Sequence, residues 1–272
     1  MLGAICGDVI GRPYEFEFPT RSKDFELFRH DSRFSDDTVL TAAVAHKLMH
    51  GGSYEQALVD FGMRHIEDGF GKGFKAWLLD SARKQGDSFG NGSAMRVSPV
   101  AWFATSVEEA VSMACESAMP SHSHPEGIKG AVAVAAAVRL SIEGRFGEIR
   151  DFVTELTGYD LTRTVDEIRR TVPRFKTTCQ ESVADAIVCA LEATSFEDGI
   201  RNAVSLGNDA DTQASIAGAI LEPRFGVPLN IRSNCIGTLS PDIAAVFECF
   251  EDRTAHIRRA DGTSMLAVGT HA

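Results

Sequence analysis

Two short acidic clusters lie far apart in the chain, "FSDDTVLTAA" at 34–43 and "LGNDADTQASIAGAI" at 206–220. Each sets a pair of aspartates beside a hydroxyl residue at the start of an alanine-rich stretch: Ser35, Asp36, Asp37 and Thr38 in the first, Asp209, Asp211 and Thr212 in the second. Taken singly, either cluster reads as a helix start, because a hydroxyl or carboxylate satisfies orphan N–H groups and an anion meets the positive end of the macrodipole. Taken together they hold more carboxylates than capping requires, beside small apolar residues of helices expected to be buried. Four carboxylates brought together repel unless they are protonated or bound to cations. Two divalent ions would cancel them, and carboxylate plus hydroxyl oxygens are hard donors that suit Mg2+ or Mn2+ rather than zinc.

The elements that must position these clusters read as helices. Alanine is abundant, tyrosine and tryptophan are scarce, and long runs of period-two alternation are missing. "SYEQ" at 53–56, "SVEE" at 106–109 and "TVDE" at 164–167 each match a capping box and predict a helix start. In "ESVADAIVCALEA", Val183, Ile187 and Leu191 recur every four residues with Glu181, Asp185 and Glu192 off that line, which predicts an amphipathic helix. "GIKGAVAVAAAVRL" is apolar around its circumference and predicts a helix at the centre of a bundle. Gly3 and Gly7, four apart, give the first helix a small face for close packing, and Asp8 beside them reads as a structural acceptor near the cleft.

The bulk properties narrow the classes. A 272-residue chain that is 44% hydrophobic and 24% charged can bury a large core, and no linker or low-complexity stretch divides it, so one domain over 1–272 is expected. Roughly the last 20 residues are expected to form a tail. Six cysteines without a CxxC pair argue against a zinc ribbon or disulfide framework and point to a reducing, cytoplasmic setting. The N-terminus lacks a basic n-region, and "GAVAVAAAV" is far shorter than the ~20 residues that span a bilayer, so no membrane partner is expected. A net charge of −11 disfavours nucleic acid. No long heptad seam is visible, so a monomer is expected.

"GNGSAMR" at 90–96 offers successive backbone N–H groups with little side-chain obstruction; it reads either as a turn between helices or as a loop that wraps a pyrophosphate. Arg96 reads equally as a phosphate contact or a buried ion pair.

Five stretches in order, "GAICGDVIGRPYE" at 3–15, "SDDT" at 35–38, "GNGSAMRVSPVA" at 90–101, "SHSHPEGIKGA" at 121–131 and "LGNDADT" at 206–212, resemble the ADP-ribosylglycohydrolase family. The resemblance implies a compact all-α protein with a central dinuclear metal cleft that hydrolyses the bond joining ADP-ribose to a modified protein side chain or small acceptor. It implies that Ser35, Asp36, Asp37, Asp209, Asp211 and Thr212 ligate two Mg2+ or Mn2+ ions. It also implies Glu15 and Asp36 as the catalytic carboxylates, and Gly90, Asn91, Gly92, Ser93, Met95 and His122 as contacts to ADP-ribose. His124 and Pro125 look like helix-start structure. The chain departs from the family pattern at Ser35, where threonine is usual, and at Asn208, where a glycine is usual. A binding protein that holds ADP-ribose without turnover, and a two-metal phosphoesterase, are the alternatives.

Overall fold

A computed structural model describes residues 1–15, 22–171 and 176–260. Its helices, in chain order, are α1 (Leu2–Gly11), α2 (Asp36–His50), α3 (Tyr54–Arg64), α4 (Lys72–Leu79), α5 (Gly92–Met95), α6 (Ser98–Phe103), α7 (Val107–Ala118), α8 (Pro125–Ile142), α9 (Ile149–Thr157), α10 (Val165–Arg170), α11 (Cys179–Leu191), α12 (Phe196–Ser205), α13 (Ala210–Phe225), α14 (Leu229–Ile236) and α15 (Pro241–Ala260). No strand forms among the described residues, and two isolated bridges, Asp87 with His122 and Gly90 with Thr178, tie loops together. The fold is all-α and a single domain, as the sequence predicts. Residues 261–272, within the expected tail, lie outside the described residues.

The predicted starts open α3, α7 and α10: Ser53, Ser106 and Thr164 each accept a bond from the backbone N–H three residues on. Full reciprocation occurs at Thr164, whose N–H donates to Glu167 Oε2 at 2.8 Å. Glu109 turns instead to the N–H of Thr105 at 2.6 Å, and the Gln56 amide to Asp60 at 3.0 Å. The apolar run at 131–138 is buried throughout α8, which packs against α5, α6, α7, α9, α11 and α13 and so stands at the centre of the bundle. His124 caps α8 by accepting from Glu126 N, and Pro125 follows it.

One periodicity reading is corrected. Glu181 and Glu192 face solvent as predicted, but Asp185 is buried in α11 because it ion-pairs with Arg163 and, at 3.1 Å, with Lys176. An acidic residue off the apolar line of an amphipathic helix is expected to be solvated; two cations from neighbouring segments reach this one instead.

The crossing of α1 and α13 sets the site. α1 is buried along its whole length and runs antiparallel to α13: Gly3 meets Gly218, Gly7 meets Ala214, and Gly11 meets Ala210. A Cβ on these glycines would sit 2.1, 2.0 and 2.5 Å from the facing carbonyl oxygens, so the two backbones touch. Gly11 adds a third glycine to the predicted small face. Antiparallel packing at this range places the exit of α1, with Arg12 and Glu15, at the mouth of α13, with Asp209 and Asp211.

All six cysteines are free. Among the described residues, no helix is long and apolar enough to cross a membrane.

Candidate functional site

Capping at the start of α2 is done by Asp8 and Ser35. Asp8, buried on α1, accepts from Ser35 N at 2.9 Å, Ser35 Oγ at 2.7 Å and Thr38 N at 3.1 Å, and also from Thr38 Oγ1. Ser35 Oγ in turn accepts from Asp37 N at 3.3 Å. Neither Asp36 nor Asp37 is needed as a cap, and both remain available to the interior. Asp209 stands at the N-cap of α13 without a side-chain capping bond; its carboxylate accepts from Asn91 Nδ2 at 2.6 Å. The approach to α13 carries two consecutive left-handed residues, Gly207 (φ 71°) and Asn208 (φ 64°), and asparagine tolerates that conformation better than most residues.

The two acidic mouths converge. Thr212 Oγ1 donates to Asp37 Oδ2 at 3.2 Å, joining α13 to α2. Ligand oxygens of Glu15, Asp209 and Asp211 all lie within 4.8 Å of one another, a spacing suited to a shared cation. Asp36 and Asp37 stand outside that trio and couple to it through their charges.

Arg12 lies among these acids: Nη1 pairs with Glu15 and lies 3.2 Å from Asp211 Oδ2. Gly69, at φ 108°, closes over the same spot, its Cβ position 3.1 Å from both Arg12 Nη2 and Asp36 Oδ1.

The electrostatics follow from burial. Burial, then the charges of Asp211, Asp8, Asp36 and Asp209, holds the Asp37 carboxyl well above the usual range. Burial and then Asp209 do the same for Asp211, against the pull of Arg12. Burial and Asp8 push Asp36, partly open to the cleft, to about 7; burial pushes Asp209 to about 6 although the Asn91 bond favours its anion. Asp37 Oδ1 is buried without a hydrogen-bond partner, and the equally buried Glu15 Oε2 is met by the Arg12 guanidinium. An orphaned acceptor in an all-oxygen donor set fits a hard divalent cation, which would satisfy it and relieve the repulsion among the carboxylates.

The glycine turn packs beside this cluster. Asn91 is held by its N–H on Thr177 O at 2.8 Å and by Nδ2 on Asp209 and, at 3.1 Å, on Ser182 Oγ. Ser93 Oγ donates to Gly127 O at 2.6 Å, and Met95 Sδ lies 3.9 Å from Thr212 Oγ1. The side chains of Asn91, Ser93 and Met95 therefore brace the scaffold, and Gly90 is held too, its N–H on Ser88 Oγ at 3.1 Å and its carbonyl by Cys179 Sγ at 3.0 Å, which leaves Gly92 as the part of the turn for a ligand. His122 is buried with Nε2 3.0 Å from the Cβ position of Gly92.

Arg96 matches neither reading given to it. It is fully buried and donates through Nη2 to Ser117 O at 2.9 Å and Ser121 Oγ at 3.0 Å, with no carboxylate as partner among the described residues. Two residues were not singled out from the sequence: Arg12, whose signal was its place inside the "GDVIGRPYE" motif, and Ser121, whose signal was its place at the head of "SHSHPEGIKGA".

Comparison with known proteins agrees with this geometry. The chain is 27% identical to the mouse (Mus musculus) ADP-ribosylhydrolase ARH3, over 90% of this chain and 88% of the relative. It is 26% identical to the human (Homo sapiens) ADP-ribosylhydrolase ARH3, over 90% of each. A solved structure described as an ADP-ribosylglycohydrolase-related protein complex shares the fold, with a TM-score of 0.64 and 21% identity over 95% of this chain and 96% of that one. The sequence profile of one family, ADP-ribosylglycohydrolase, matches residues 1–246. A helical bundle that drives two acidic helix mouths together beside a glycine turn, matched to that profile along nine-tenths of its length, belongs to the ADP-ribosylglycohydrolase family and is a hydrolase of its type.

Proposed function

We propose that this chain is a Mg2+- or Mn2+-dependent glycohydrolase that cleaves the glycosidic bond between ADP-ribose and a modified protein side chain or small acceptor, releasing ADP-ribose. The observation that carries the reading is the convergence of Asp36, Asp37, Asp209 and Asp211 beside Glu15, with the buried Asp37 Oδ1 left without a hydrogen-bond partner.

Asp36, Asp37, Asp209, Asp211 and Thr212 would hold the cations, with Glu15 at their edge; Ser35, whose hydroxyl serves Asp8, would contribute through its carbonyl. Bound there, a pair of hard dications supplies charge neutralisation and orients vicinal ribose hydroxyls. Glu15 and Asp36 would serve as the catalytic carboxylates, stabilising the oxocarbenium character that cleavage builds at the anomeric carbon. The Gly90 to Met95 turn and His122 would receive the diphosphate, through the backbone N–H at Gly92.

The test is a panel of arginine-, serine- and nucleobase-linked ADP-ribosyl conjugates assayed with Mg2+, with Mn2+ and with chelator. Free ADP-ribose should appear with metal only, and Asp36→Asn or Asp209→Asn should abolish it without unfolding the protein. AMP or phosphate as the product, or full activity in chelator, would reject the proposal.

A further inference from the structure

A chain of three buried side chains runs beneath the glycine turn. Arg96 Nη2 donates to Ser121 Oγ at 3.0 Å, and Ser121 Oγ lies 2.8 Å from His122 Nδ1. A guanidinium can only donate, so the Ser121 oxygen is an acceptor on that side. The hydroxyl hydrogen then has His122 Nδ1 as its acceptor. The reverse arrangement, with Nδ1–H donating to Ser121, would leave a buried hydroxyl hydrogen without an acceptor.

We propose that Arg96 and Ser121 are positioning residues that fix His122 as the Nε2–H tautomer, so that the imidazole presents a hydrogen-bond donor at the glycine turn to an anionic oxygen of the ligand. The inference rests on the functional reading above for the ligand's identity and deepens it at this one group.

The surroundings hold the ring in place. His122 N donates to Ala118 O at 2.8 Å, Ser123 N to Gly86 O at 2.9 Å and Ser88 N to Ser121 O at 3.3 Å, so the segment carrying the ring is laced to the segment leading into the turn. Nε2 lies 3.0 Å from the Cβ position of Gly92 and 3.9 Å from that of Gly90, a closeness that a side chain at 92 would force apart. Nε2 has no hydrogen-bond partner among the described residues. The imidazole is also kept neutral: burial, and then the charge of Arg96, hold its pKa well below the ordinary histidine value. Arg96 thus acts twice, directing the Ser121 proton toward Nδ1 and disfavouring a second positive charge beside itself. A neutral ring donating through Nε2 can bond an oxygen without a change of charge.

The experiment reads the tautomer in ligand-free protein by long-range 1H–15N imidazole correlation, then titrates ADP-ribose by calorimetry. Wild type should show His122 as Nε2–H. Ser121→Ala should give a tautomer mixture and weaken ADP-ribose binding roughly tenfold, the loss of one hydrogen bond's worth of orientation. Ser121→Thr, which keeps the hydroxyl, should restore both. An Nδ1–H tautomer in wild type, or an unchanged Nε2–H pattern in Ser121→Ala, would overturn the assignment. Failure of wild type to bind ADP-ribose while the Nε2–H pattern stands would reject the functional reading and leave the tautomer established.

Discussion

Gly7→Ala tests the link between helix packing and the site most directly. The added Cβ would lie 2.0 Å from Ala214 O, 2.2 Å from Ala214 C and 2.5 Å from Ser215 N, all backbone atoms that cannot rotate away. Ordinary contact begins at 3.4 Å, so α1 and α13 must separate by about 1.4 Å at this point. Overpacking of this kind costs 1–3 kcal/mol in a typical core, and backbone on both sides places this case at about 3 kcal/mol. For a chain of this size that is a fall in melting temperature of about 6–12 °C. The consequence for the site is larger. α1 carries Asp8 and leads to Glu15, while α13 carries Asp211; metal ligands tolerate displacements of only about 0.2 Å, so cation binding should be lost. Melting followed by circular dichroism, and Mn2+ titration by calorimetry, read the two effects separately. Gly73→Ala, at a helical glycine with open space around it, is the control and should change neither. A Gly7→Ala protein that melts with wild type and binds Mn2+ normally would refute the close-packing argument.

Three further outcomes follow from the acid cluster. Without cations, the raised carboxyls of Asp36 and Asp209 bind protons more tightly in the folded than in the unfolded state, so their contribution is fully present below about pH 4 and lost as pH rises toward 7. Metal-free protein should melt higher at pH 5.5 than at about pH 7.5, and saturating Mg2+ should flatten or reverse that trend; a rising apo profile would contradict it. Arg12→Ala should destabilise the metal-free protein by about 2 kcal/mol, less than the loss for a fully buried pair, and tighten Mn2+ binding because no internal cation competes; denaturation with and without Mn2+ measures both. Asp8→Ala strands four donors of Ser35 and Thr38 and should cost about 3 kcal/mol or more in urea unfolding, with a cost below about 1 kcal/mol counting against its capping role.

Much of the fold was legible because its signals are local. The hydroxyls of Ser53, Ser106 and Thr164 bond their own helix starts, and the apolar circumference of α8 demands burial whatever surrounds it. Gly3 and Gly7 announced a close crossing, although not its partner. The acidic motifs told that carboxylates gather, and motif order along the chain told which family gathers them.

What the sequence alone determined, then, was the helical class, the packing faces and the residue types of an acidic cluster that could hold a metal. Tertiary structure decided how each carboxylate is used. Asp8 and Ser35 do the capping and leave Asp36 and Asp37 to the cleft; Asp185, equally acidic, is neutralised by Arg163 and Lys176; Arg12 and Ser121 enter the site through contacts 199 residues apart in one case and through a buried three-residue chain in the other. Capping and amphipathic burial depend on neighbours within one or two turns and so are written in spacing. Charge pairing, proton direction and ligand convergence depend on which helices touch, and that is fixed by the antiparallel meeting of α1 and α13.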